Sequence, residues 1–325
     1  MAGADQSLLL HHMAFYGLAD ILDTSGIGDL AVEWNGPQPV LSGENLDDTV
    51  VEEAVRTHIE GRKPWTLNSF GTERRATMSP RLTVFKAGEW EPHQRRREEV
   101  LTELTDGRLW PDLRYLAALG EPSYWSFNFR GDRLQDNGAS RFEMQPRNRG
   151  SEFVGNRLRP LTEKLLRRRP GTIASGLSGQ TLIDELDGKP NSVTATGLAM
   201  PGPADNAIVW CALWGIGQFP ATYRIQGAAL TSGYIGRNRH EWFCVPVWTG
   251  RWRPARLRSI LASSQLRTAA ATGLADFSDD ADQEMRAGSW LRSRGVIGVL
   301  RFPIARFGSD NAPERRALRA EAIPL

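Results

Sequence analysis

Residues 7–22, SLLLHHMAFYGLADIL, read as a helix that is apolar on nearly all sides. Such a helix has no face it can leave in water, so the rest of the chain has to pack around it. It ends near Gly26, and LAVEW (30–34) then alternates like a strand. Asp47 and Asp48 open a helix that Gly61 is expected to stop near residue 60. WTLNSF (65–70) and RLTVF (81–85) are predicted as strands, residues 92–105 as a charged helix, 112–119 as a short helix and YWSFNF (124–129) as a strand.

Further along, RFEMQ (141–145) is predicted as a strand that breaks at Pro146. A helix follows from about Ser151, kinked or split at Pro160. Residues 170–203 are rich in Gly, Pro, Ser and Thr, the mark of a long irregular insertion or an exposed hairpin. Residues 203–217 form a buried helix with Trp210 and Trp214 four apart, and strands are expected at 223–230, 232–236, 241–248 and 296–307. Pro254 starts a helix through ARLRSILASSQL, and residues 276–284 form an acidic patch. The order is mixed, with no regular βαβ repeat and no internal repeat. It predicts an α+β fold of mixed sheets with packed helices.

Charge divides the chain. Residues 1–140 carry 14 basic and 22 acidic side chains, whereas residues 141–325 carry 26 and 16. The division suggests an acidic region over 1–140 and a basic, nucleic-acid-binding region over 141–325, within one continuous domain or two packed ones. Nearly all the basic residues are Arg; only Lys63, Lys86, Lys164 and Lys189 are Lys. Arg suits bidentate phosphate contact and stacking, although a compositional bias toward Arg would raise the total equally well.

Clustering is harder to attribute to bias. Residues 141–170 hold nine Arg or Lys against three Glu. Gln145, Arg147, Asn148 and Arg149 precede Gly150, and Asn156 and Arg157 follow. Guanidinium forks and carboxamides beside a glycine suit a phosphate backbone and base edges. Arg167, Arg168 and Arg169 at a helix end could instead simply oppose the helix dipole. A second candidate is the segment 233–258, where Arg237, Asn238 and Arg239 repeat the Arg-Asn-Arg pattern. There Trp248 and Trp252 interleave with Arg251 and Arg253. The rings could stack bases, or they could be core residues with the arginines reaching out to water. A third is Lys189 and Asn191 in the turn-rich loop 187–197, which could probe a groove or be a plain surface turn.

Catalytic signatures are thin. There is no H-E-x-x-H, no G-x-S-x-G and no phosphate-binding loop. Cys211 and Cys244 lie in apolar surroundings and are expected to be buried free thiols. No metal or other cofactor is expected. A metal-independent endoribonuclease would have to use His11, His12 or His240 as acid and base. A scaffold that binds acidic protein is the other alternative. No apolar run reaches the length of a membrane span and no signal-like leader is evident, so a cytoplasmic protein without membrane contact is expected.

Three segments carry a family resemblance: MAFYGLADIL (13–22), MQPRNRGSEFVGNRL (144–158) through ATGLAMPGPADNAIVWCALWGIGQFP (195–220), and PVWTGRWRPARLRSIL (246–261). They resemble large-subunit proteins of type I CRISPR effector (Cascade) complexes, especially the compact I-U (I-G) group. The resemblance implies a non-catalytic subunit of an RNA-guided surveillance complex in antiviral defence. Its partners would be guide RNA, target DNA, the other effector subunits and a helicase–nuclease. Such subunits recognise a short duplex motif beside the target while guide pairing supplies most of the specificity. Carried onto this chain, the loops at 147–149 and 187–191 become candidates for motif reading, and the Arg/Trp segment at 237–253 for backbone tracking. At 325 residues the chain is short for that class, and the helical bundle of larger relatives is not expected.

Overall fold

The computed structural model describes residues 1, 3–70, 75–81, 88–131, 134–144, 153–186, 196–237, 240–274, 277, 280–309 and 312–325, with backbone alone at 135, 237, 312 and 313. The first helix, α1 (Leu9–Thr24), is buried along almost its whole length, as its sequence requires. The hairpin β1 (Ala31–Asn35) and β2 (Gln38–Ser42) follows. Next comes α2 (Asp48–Thr66), whose Asp47 side chain caps the amide of Val50 at 2.9 Å. Two short strands, β3 (Ser69–Phe70) and β4 (Arg75–Ala76), precede α3 (Trp90–Asp106) and α4 (Trp110–Leu119).

The second half opens with a π-helical turn (Val154–Leu158) running into α5 (Arg159–Leu165), with Pro160 in the first turn of α5. Helices α6 (Thr172–Ser178) and α7 (Asn206–Trp214) come next, then the two-residue strands β5 (Ala221–Thr222) and β6 (Leu230–Thr231). The main sheet contains β7 (Tyr234–Arg237), β8 (His240–Trp248), β9 (Val296–Ser309), β10 (Ala312–Ala317) and β11 (Glu321–Pro324). Between β8 and β9 the chain inserts α8 (Pro254–Leu261), α9 (Ser264–Ala270) and α10 (Ala281–Arg292). All strand pairs are antiparallel, in the order β10-β9-β8-β7. β11 also pairs with β9, from Glu321–Arg301 to Pro324–Gly298. The fold is mixed α+β.

One core cluster takes side chains from both halves of the chain. At its centre α1 lies against α7. A Cβ at Gly17 would collide with the Cys211 carbonyl, and one at Gly215 with that of Met13, so only glycine allows this approach. Cys211 and Cys244 are buried free thiols, and burial pushes both thiol pKa values up. Among the described residues no helix is long and apolar enough to cross a membrane.

Several sequence expectations need correction. α2 does not stop at Gly61 but continues through Pro64, so that only Ser69 and Phe70 of WTLNSF are strand. The last turn of α2 is held from outside: Arg62 and the Trp65 indole both donate to Asp112 on α4, each at 2.8 Å. Of RLTVF, residues 82–85 lie outside the described residues. Residues 124–129 are not a strand. Local turns use their backbone groups instead, with the Gly131 amide donating to the Asn128 carbonyl and the Arg130 amide to the Asn128 side chain. Within 141–145, residues 141–144 form turns, while 145 lies outside the described residues. Most of 223–230 is an exposed loop, with only Leu230 in a strand. The helix from Pro254 is also interrupted, because Ser263 leaves α8 and caps α9 through the Leu266 amide.

Candidate nucleic-acid interface

Much of the basic second half is neutralised by carboxylates. Arg168 is 7% exposed and sits between Asp205 at 2.8 Å and Glu185 at 3.1 Å. Arg258 pairs with Asp20, Arg301 with Glu321, and Arg316 with Glu314. Asp5, Asp20 and Asp29 of the acidic first half pair with Arg319, Arg258 and Arg253, so the division of charge along the chain is closed in part by contacts in space.

The sequence-derived candidates separate accordingly. Gln145, Arg147, Asn148, Arg149, Lys189, Asn191, Asn238 and Arg239 lie outside the described residues. Arg237 pairs with His240 in the β7–β8 hairpin, and only its backbone is described. Asn156 is exposed on the π-helical turn. Arg157 turns inward, donating to the Met144 carbonyl at 2.9 Å with its guanidinium 5.9 Å from the Phe153 ring.

Trp248 and Trp252 require a correction. They are 1% and 2% exposed and stack on each other with centroids 4.8 Å apart. Val32 and Trp252 exchange backbone hydrogen bonds, which fixes the pair beneath β1. The rings belong to the core and cannot stack on bases. Arg251 and Arg253 do point outward, but they share Asp29, at 3.7 and 2.6 Å.

A different group of arginines is under-compensated. Arg81 approaches Glu143 at 3.3 Å and Asp136 at 3.2 Å. Arg141 donates to the carbonyls of Asp136 and Ala139, while its buried Nε has no hydrogen-bond partner among the described residues. Arg315 lies 3.8 Å from Glu241. Burial, then the guanidiniums of Arg315 and Arg81, lower the Arg141 pKa to about 10. Burial and Arg81 lower that of Arg315 as well. Burial pushes the Glu143 carboxyl up to about 8 against the opposing pull of Arg81, so near neutrality it contributes little negative charge.

Arg141 of this cluster lines a cleft of about 440 Å³. Arg141, Tyr234 and Glu241 line it beside the uncharged stretches 228–230 and 235–236, together with Arg224, Arg267 and Arg306. These last three make no ion pair with a described carboxylate. They come from the loop between β5 and β6, from α9 and from β9. Across the β9–β10 ladder Arg306 stands opposite Arg315, an arrangement of like charges that costs stability unless an anion lies between them. On its other side Arg267 lines a smaller cleft, about 220 Å³, with Asp280 and Glu284. Sequence patterning missed this group because its members are far apart in the chain.

A larger cleft, about 570 Å³, lies between the end of α1, α2 and α4. Its Arg62 is matched by Asp112, and Arg108 and Glu53 line it as well, so its charged lining is balanced in sign. The histidines proposed for endoribonuclease chemistry are placed differently from one another. His12 is fully buried and bound to the Gln6 carbonyl at 2.8 Å, and His11 accepts from the Asp5 amide at 2.7 Å. His240 is exposed at the start of β8. Among the described residues no group of acids, histidines and cysteines could hold a metal ion. The chain matches no protein-family profile and no curated protein sequence.

Proposed function

We propose that this chain is a nucleic-acid-binding subunit of an RNA-guided CRISPR surveillance complex, one that holds guide or target backbone and contributes to recognition of a duplex motif beside the target. The observation that carries the proposal is the cluster of Arg81, Arg141 and Arg315 behind a cleft lined by Arg224, Arg267 and Arg306. A recess whose charged lining is four arginines against the single carboxylate of Glu241 focuses the field on an anion, and phosphodiesters at regular spacing fit guanidiniums drawn from separate elements. The resemblance of residues 13–22, 144–158, 195–220 and 246–261 to large subunits supplies the assembly context. Its partners on this proposal are guide RNA, target DNA, sister effector subunits and a helicase–nuclease, all in the cytoplasm. The chain itself performs no chemistry.

Co-expression with a guide array and the sister subunits tests the proposal. The wild-type chain should co-purify with short RNA and the other subunits. The triple variant R224A/R267A/R306A should lose most of the RNA while remaining folded. A purified chain that shifts no duplex, single strand or guide complex at low salt would end the proposal.

A further inference from the structure

The segment 122–131 and the β5–β6 loop both expose aromatic rings, and the second of them also lines the arginine cleft. Phe129 is 92% exposed, Phe127 52%, Tyr124 46% and Tyr223 39%. Folding buries rings of this size where it can, so their concentration on two adjoining loops marks a contact surface. The Trp125 indole fastens the two loops together, donating to the Arg224 carbonyl at 2.9 Å. Rings run in sequence across the junction. Trp90 lies 5.4 Å from Tyr124, Tyr124 5.1 Å from Trp125, and Trp125 6.1 Å from Tyr223, measured between centroids. Arg224, next in the chain after Tyr223, lines the cleft.

We infer that this surface is a base-stacking platform for single-stranded nucleic acid, with bases on the rings of Phe129, Phe127, Tyr124 and Tyr223 while the adjoining phosphates enter the arginine cleft. The inference rests on the proposed function and names its ligand class as the single strand. Charge favours this occupant over an apolar protein face. Residues 122–131 and 221–230 contain no carboxylate, and each stretch contains one arginine, Arg130 and Arg224. The Arg130 guanidinium sits 5.2 Å from the Phe129 centroid, an arrangement that extends a stacking surface with a cation. Interleaved rings and guanidiniums beside a cationic groove bind single strands with little regard to sequence, because every base offers a π face.

The test compares a labelled fifteen-nucleotide oligothymidylate with an abasic oligomer of the same length, using the full chain. F129A should bind the oligothymidylate about 5- to 100-fold more weakly, as loss of a base–ring stack predicts. Its affinity for the abasic oligomer and its salt slope should stay unchanged. F129W should restore binding and F129L should not, which separates stacking from simple apolar contact. Phe129 is so exposed that none of these variants should disturb folding. Equal binding of the oligothymidylate by wild type and F129A would overturn the platform while leaving the cleft intact, and would point to a protein partner on this surface. A parallel loss on both oligomers would overturn it too. Failure of the wild-type chain to bind either oligomer would overturn the inference, and would sink the proposed function on which it stands only where duplex and guide complex are not shifted either.

Discussion

The carboxylate of Asp20 accepts the Arg258 guanidinium at 2.8 Å, joining α1 to α8 across the two halves of the chain. Arg114 on α4 donates to the same carboxylate at 2.6 Å and the Trp214 indole at 3.0 Å. Asp20 is 2% exposed, so its removal would strip Arg114 of its carboxylate, leave Arg258 only Asp23 at 3.6 Å and strand the Trp214 indole. D20A should lower unfolding free energy by ~3–5 kcal/mol, the usual cost of breaking a buried pair from one side. Urea denaturation followed by tryptophan fluorescence measures this directly.

The three consecutive arginines at 167–169 should behave unequally. Arg168 is buried between Asp205 and Glu185, whereas Arg167 and Arg169 are exposed. R168A should cost ~3–5 kcal/mol by stranding Asp205, itself 2% exposed. R167A and R169A should each stay within about 0.5 kcal/mol of wild type. Thermal melts of the three variants side by side would show the difference.

Stability should peak near pH 6.5. Burial depresses His12 and His93 to about 4, so unfolding takes up protons below the ordinary histidine value. Their contribution is therefore complete above the unfolded pKa and declines as pH falls through the folded one. Glu143 has the opposite sign. Its folded pKa of about 8 means that the contribution present below its unfolded value is lost as pH rises toward 8. E143Q should flatten the alkaline limb and steepen the acid limb above about pH 4.5, where the unfolded carboxyl begins to lose its proton, as read from denaturation midpoints between pH 4 and 9.

Trp252 tests the correction to the aromatic candidates. W252A removes a core ring stacked on Trp248 and should cost ~3–5 kcal/mol of stability. Measured on the folded fraction, its affinity for a single strand should match wild type, because the ring never reaches solvent.

The parts of the fold visible in the sequence were those set by local pattern. The all-apolar run before Thr24 requires a buried helix, and the largely apolar run from Val296 reads as the strand that becomes β9. What escaped was decided by distant partners. Asp112 holds the last turn of α2 past Gly61 and Pro64, and local turns at Asn128 leave YWSFNF without a strand ladder. For the site, the alternation of Trp and Arg at 248–253 was visible, but not which of the two faced the core. Arg224, Arg267 and Arg306 carry no local signature at all. They converge only because β9 and α9 pack beside the β5–β6 loop.

The most direct test is the salt dependence of single-strand binding. The wild-type chain should give a linear fall of log K with log salt, and R224A/R267A/R306A should reduce the slope by about 2, near 0.7 for each phosphate left unneutralised. Equal slopes for the two proteins, or no binding by the wild type at low salt, would contradict the assignment of the cleft to a nucleic-acid backbone.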